Sequence, residues 1–323
     1  MNPTVINTAP LVPECAAWLA ERATLIHCDH RDRDDVLDKL ESAQGLIIGS
    51  YLQVNHELLD RASELKVVGR SGVGLETIDV PECHRRGIQV VYTPEANTQA
   101  VVEYVVGLML DSLRPRTLID GTEGTERYLE LRRTQIGQQL DQLTLGILGL
   151  GRIGKRLGAV AHSIGMRLVV NDLLSVEELQ QAVSYPFEYV DLPTLFERSD
   201  ILSIHVDGRS ENRNLVGTSL LSRLRPGSLL INAARGKIVE TPALADWART
   251  SADHGCRAVL DVLDPEPPAA DCPLFGLDNV KILPHLASRT HTGLANMSWV
   301  VRDIWSVIQG ESPKYPCLPG NVS

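Results

Sequence analysis

The 323-residue chain has no C-x-x-C pair, no run of basic residues and no long uncharged apolar stretch. Its six cysteines (Cys15, Cys28, Cys83, Cys256, Cys272, Cys317) are scattered, so free thiols in a reducing compartment are expected and no metal site is. Lys and Arg total 31 against 41 Asp and Glu, a formal net charge of −10. That balance argues against a nucleic-acid or anionic-membrane partner. The missing apolar stretch excludes a transmembrane helix. Met1-Asn-Pro-Thr-Val-Ile-Asn has neither the charged nor the long apolar region of a signal peptide, so a soluble, cytoplasmic protein is expected. There is no short-period repeat and no low-complexity tract.

Apolar residues make up 43% of the chain, enough to fill buried cores, and the length suits about two domains. Strand and helix patterns alternate. Strands are expected at Thr4–Asn7, Thr24–Cys28, Gly45–Gly49, Lys66–Gly69 and Ile88–Tyr92, then at Leu145–Leu148, Leu168–Asn171, Ile201–His205, Leu229–Asn232, Ala258–Asp261 and Lys281–Leu283. Helical patterns between them include Pro13–Arg22, Arg33–Ser42, Asn55–Ala62, Leu192–Arg198, Ser219–Arg223 and Thr241–Thr250. This alternation predicts an α/β protein with two doubly wound parallel sheets. A largely apolar helix is expected from about Ala100 to Leu113, buried between two bodies and stopped by Arg114-Pro-Arg. The polar, mixed-charge stretch Thr117–Gln142 reads as an arm lying on a second subunit. Thr290–Gln309 has the spacing of one further helix, ended by Gly310 and Pro313.

The densest signal is Leu143-Thr-Leu-Gly-Ile-Leu-Gly-Leu-Gly-Arg-Ile-Gly-Lys155. Gly149, Gly151 and Gly154 follow a strand and open a helix in G-x-G-x-x-G spacing. The first permits the tight turn, the second lets backbone approach a pyrophosphate, and the third lets helix and strand pack closely. Amides at the helix start attract phosphate charge. Asp172, at the next strand end, can accept hydrogen bonds from an adenosine ribose. Its charge repels a 2′-phosphate and Leu173-Leu174 supplies no cation, so NAD is expected over NADP.

In an open parallel sheet, ligands bind beyond the carboxyl ends of the strands. Polar residues collect at those ends: Asp172, His205, Asn232-Ala-Ala-Arg235, Asp261 and His285 in the second half, and Ser50-Tyr51, Ser71, Gly72, Val73, Gly74 and Thr93 in the first. Two such edges facing each other would form a cleft. Arg235 suits two-pronged binding of a carboxylate. Glu266 sits between Pro265 and Pro267, and His285 follows Pro284. A carboxylate beside a histidine favours the protonated imidazole and fixes its tautomer. Such a histidine can pass a proton to and from a carbonyl oxygen.

These residues resemble the D-2-hydroxyacid dehydrogenase family, which includes phosphoglycerate dehydrogenases, glyoxylate/hydroxypyruvate reductases and D-lactate dehydrogenases. The likeness runs through Val67–Gly74, Thr93–Glu103, Gly146–Gly154, Ile231–Gly236, Asp261–Pro267 and Leu283–Ser288. It implies a flavodoxin-like substrate domain, discontinuous over 1–98 and 289–323, and a Rossmann NAD domain over 99–288 with a dimerisation arm at about 114–142. It implies an NAD-dependent oxidoreductase interconverting a 2-oxo acid and a D-2-hydroxy acid, active as a homodimer. Arg235, Glu266 and His285 would be catalytic. Gly149, Gly151, Arg152, Ile153, Gly154, Asp172, His205, Ala233 and Asp261 would hold NAD. Ser71, Gly72, Val73, Gly74, Arg235 and Ser288 would hold substrate, with Ser50, Tyr51, Leu52 and Arg289 near its side chain. The likeness is imperfect. Asp207-Gly-Arg209 stands where the family often has Pro-Leu-Thr, and Ser50–Gln53 has no arginine for a phosphate. Two other readings are an NAD(H)-sensing corepressor-like protein and formate dehydrogenase. Glu266 argues against the latter, which has a glutamine there.

Overall fold

The computed structural model describes residues 2–121 and 124–318. Residues 122–123 of the expected arm and 319–323 of the expected substrate domain lie outside the described residues. The chain forms two compact units. One comprises residues up to Ala100 and those from Ser288 onward, and the other is Val101–Ala287.

The first unit carries β1 (Thr4–Asn7), β2 (Thr24–His27), β3 (Gly45–Ile48), β4 (Val67–Arg70) and β5 (Gln89–Val91), in the order β2-β1-β3-β4-β5. Every pairing among them is parallel. The order reverses between β1 and β3. Strands covered on both faces read as short apolar runs, and all four residues of β3, Gly-Leu-Ile-Ile, are buried. Helix starts here are fixed by side chains that accept first-turn amides. Asp32 takes Asp35 N–H, Asn55 takes Leu58 N–H and Asp79 takes Glu82 N–H. One sheet face is covered by the returning C-terminal segment. A Cβ on Gly69 would lie 2.2 Å from Ile304 Cδ1, so the missing side chain lets Ile304 pack directly on β4, and any larger residue there would force Ile304 to shift.

The segment expected as one helix over Thr290–Gln309 is two, His291–Ser298 and Val300–Ile308. Trp299 separates them at φ −68°, ψ 0°, with the Arg302 guanidinium 3.7 Å over its ring. Apolar spacing continues through the break, so periodicity alone does not reveal it.

The second unit carries β6 (Thr144–Leu148), β7 (Arg167–Asn171), β8 (Glu188–Tyr189), β9 (Ile201–Ile204), β10 (Leu229–Asn232), β11 (Arg257–Leu260) and β12 (Val280–Ile282). The order is β12-β11-β10-β9-β6-β7-β8, again all parallel. The chain runs outward through β7 and β8, then crosses back to β9 on the other side of β6. That reversal opens a crevice beyond the ends of β6 and β9. The helix Thr98–Leu113 buries Val101, Val102, Val105 and Met109 against residues of β6, β7, β10 and β11. The described residues of the expected arm include the α-helix Thr125–Thr134 and a 3-10 turn at Leu140–Gln142. Among the described residues, no helix is long and apolar enough to cross a membrane.

Candidate active site

The glycine turn has the shape its spacing predicts. Gly149 adopts φ +93°, a left-handed conformation that L side chains rarely enter. A Cβ on Gly154 would sit 2.2 Å from the Gly149 carbonyl oxygen, while one on Gly151 would meet nothing within 4 Å. The backbone at Gly151 therefore faces open space, at the start of the helix Arg152–Ser163, which no side chain caps. Arg152 is exposed, and Ile153 is partly buried against the core. Asp172 closes the other side of the turn. Its Oδ2 accepts Leu150 N–H at 2.6 Å and its Oδ1 accepts Leu174 N–H at 2.9 Å. Each oxygen retains a lone pair for a hydroxyl.

His205 leaves β9 with its amide on the Leu148 carbonyl at 2.7 Å, so its backbone borders the same turn. Its Nε2 shares a 2.8 Å hydrogen bond with Ser203 Oγ, and its buried Nδ1 has no partner among the described residues. Burial pushes its pKa down to about 4, so the ring is neutral near pH 7. Open space at Gly151, a charged Asp172 and an orphaned ring nitrogen at the sheet's reversal point form a cradle that a dinucleotide fits. Ala233, buried just past β10, adds a small side chain.

Beyond β10, β11 and β12, three side chains are brought together. A Cβ on Gly236 would lie 1.9 Å from the backbone carbonyl of Leu263, so the Arg235–Gly236 turn presses on the loop that carries Glu266. Glu266 Oε1 accepts Leu263 N–H at 3.1 Å, and Glu266 Oε2 lies 2.9 Å from His285 Nδ1. Burial pushes the Glu266 carboxyl up. The His285 hydrogen bond and charge, the Leu263 amide and the Arg235 charge outweigh it and hold the group below its ordinary value. Arg235 Nη1 donates to its neighbour's carbonyl, Ala234 O, at 2.7 Å. The His285 side chain is 45% exposed, so its far edge is accessible.

Asp261 was expected on the cofactor. It is 1% exposed, with Oδ1 on Leu286 N–H at 2.8 Å and Oδ2 on Ala287 N–H at 2.9 Å. Its carbonyl also takes His285 N–H at 2.9 Å. In this geometry it anchors the turn that presents His285. That task has no sequence signature, because the partners are backbone amides.

In the first unit, the loop after β4 takes a form that narrows the expectation. Gly72 has φ +146°, and its N–H is committed to Arg70 O at 2.9 Å and Thr93 Oγ1 at 3.1 Å. Ser71 N–H is committed to Ile48 O at 3.0 Å. The amides of Val73 and Gly74 are left to meet an anion. Arg70, not singled out from the sequence, braces this loop through Ser71 O at 2.5 Å and Gly74 O at 2.9 Å. It also reaches Ser50 Oγ at 3.2 Å, so a cation stands beside the Ser50 segment after all. Ser288 is half-buried, and its carbonyl accepts Thr290 N–H at 3.0 Å.

Residues 106–287 match the model of the family described as D-isomer specific 2-hydroxyacid dehydrogenase, NAD binding domain. A hydroxypyruvate reductase of Thermotoga maritima is 30% identical over 286 residues, covering 87% of this chain and 90% of that protein. A D-3-phosphoglycerate dehydrogenase of Archaeoglobus fulgidus is 30% identical over 279 residues, 86% of this chain. The chain spans about half the length of that and similar curated relatives, 52% in the Archaeoglobus case. Among solved structures, a D-lactate dehydrogenase of Aquifex aeolicus, complexed with NAD and lactic acid, superimposes with a TM-score of 0.79. It is 25% identical, over 95% of this chain and 96% of that one.

Proposed function

Because the chain belongs to the D-isomer specific 2-hydroxyacid dehydrogenase family, we propose that it interconverts a 2-oxo acid and a D-2-hydroxy acid with NAD, using His285 as the acid/base. The observation that carries this reading is the 2.9 Å Glu266–His285 pair beside Arg235. NAD, when bound, accepts or supplies the hydride. The remaining steps belong to the protein. Glu266 engages Nδ1 and leaves Nε2 as the atom that exchanges a proton with the substrate oxygen. Arg235 offers a planar cation to the 2-oxo acid's carboxylate and carbonyl. In the first unit, the Val73 and Gly74 amides suit a carboxylate. Gly149, Gly151, Arg152, Ile153 and Gly154 would take the pyrophosphate, Asp172 the ribose, and His205, Ala233 and Asp261 would border the rest of the cofactor.

The test is NADH oxidation with a panel of 2-oxo acids. Turnover of at least one is expected, and its loss by about 10²–10⁴-fold in His285→Ala with NADH affinity preserved. An unchanged rate in that variant refutes the assignment. The same panel separates an enzyme from an NADH-binding regulator, which would bind NADH and turn over nothing.

The chain also works as a homodimer in this reading. Along the arm, Leu118, Leu129 and Ile136 are 90%, 57% and 81% exposed. Such apolar exposure on one excursion suits a covering surface from a second copy.

A further inference from the structure

Cofactor choice was expected to rest on Asp172, with no cation at hand for a 2′-phosphate. The structure supplies a cation. β7 and β9 flank β6, so their ends border the glycine turn from opposite sides. β7 delivers Asp172, and β9 delivers the segment His205–Arg209. That segment is pressed on the turn: a Cβ on Gly149 would lie 2.9 Å from His205 C and Val206 N. Arg209 also lies within electrostatic reach of Asp172.

The guanidinium is nevertheless engaged. Arg209 Nε donates to Asp207 Oδ1 at 2.7 Å and Nη2 donates to Asp207 Oδ2 at 2.5 Å. Asn212 Nδ2 donates to the same Oδ1 at 3.1 Å and to the Asp207 carbonyl at 3.0 Å, which fixes the carboxylate in place. The Nε/Nη2 fork of the guanidinium is closed onto a carboxylate two residues away, which fixes the side chain and offsets the charge that a phosphate would meet.

We propose that Asp207 determines dinucleotide specificity by holding Arg209 in a closed pair and so keeping its guanidinium from a 2′-phosphate. Discrimination then has two parts: Asp172 repels the phosphate, and Asp207 withholds the arginine that would attract it. Neutralising Asp207 releases Arg209. The inference rests on the dinucleotide reading of the glycine turn.

The experiment is isothermal titration of the full chain with NADH and with NADPH, in the absence of substrate, for wild type, Asp207→Asn, Arg209→Ala and the double variant. Asp207→Asn should tighten NADPH about tenfold, the scale of one charge-assisted contact, and move NADH less than about twofold. Arg209→Ala alone should leave NADPH within about twofold of wild type, because the locked arginine contributes nothing there. The double variant should lose the gain. No gain in Asp207→Asn overturns the proposal, as does a gain that survives removal of Arg209. A tenfold loss of NADPH affinity in Arg209→Ala overturns it even if Asp207→Asn fails to fold. Failure of wild type to bind either dinucleotide would instead sink the reading of the turn itself.

Discussion

His285 sits at φ 54°, in left-handed backbone that costs a residue with a side chain on the order of 1–3 kcal/mol. The three hydrogen bonds that Asp261 makes to residues 285–287 are what hold it there. Another histidine invites a measurement. The folded-state pKa of His205 is about 4, against an ordinary 6.5 in the unfolded chain. Between those values the unfolded chain takes up a proton that the folded protein refuses, so stability falls as pH falls from 6.5 towards 4. The loss reaches about 3 kcal/mol at most. Urea midpoints across that range should slope accordingly, and His205→Asn should flatten the slope. An unchanged slope in the variant would remove His205 from the acid response. At this scale, Glu266 and His285 were visible as a pair only as members of the set with Arg235 and through the family resemblance, since a lone loop acid between prolines carries no such signal. Asp207, Asp261 and Arg70 stayed hidden as positioning groups, since their roles depend on short contacts that no spacing encodes.

Gly236 joins two elements. Its missing Cβ lets the turn after β10 rest on the Leu263 backbone, which in turn sets the loop bearing Glu266. In Gly236→Ala backbone must move, because the clash is with a carbonyl rather than a flexible side-chain end. A displacement near 1 Å typically costs about 10²-fold in rate. Steady-state kinetics should show that fall in kcat, larger than any change in NADH affinity, since the glycine turn lies elsewhere. A wild-type kcat would mean the loop adapts freely. Strands were the most legible elements. Parallel strands covered on both faces are apolar runs, and eleven of the expected runs coincide with β1–β7 and β9–β12. The two-residue β8, Glu188-Tyr189, is exposed and carries no such signal. The break at Trp299 was equally silent, because both helices keep apolar residues at helical spacing.

At the scale of the molecule, the arm makes the sharpest prediction. Leu129→Glu with Ile136→Glu should convert a dimer to a monomer near the 35.4 kDa chain mass in sedimentation equilibrium. A wild type that already sediments as a monomer would end the dimer reading. The existence of two doubly wound sheets was legible from alternation alone. That the last helices complete the first sheet was implied by the family resemblance and not by periodicity, which says how a helix is faced and nothing about which sheet receives it. The Gly69–Ile304 contact makes that pairing physical. It also sets a schedule for synthesis. β4 leaves the ribosome with its glycine face bare, and the side chain that covers it follows more than two hundred residues later. At about 5–20 residues per second, that is a wait of roughly 10–50 s. For that interval the buried faces of β3 and β4 are open to chaperones, proteases and other nascent chains, while Val101–Ala287, contiguous in sequence, can close on itself as it emerges.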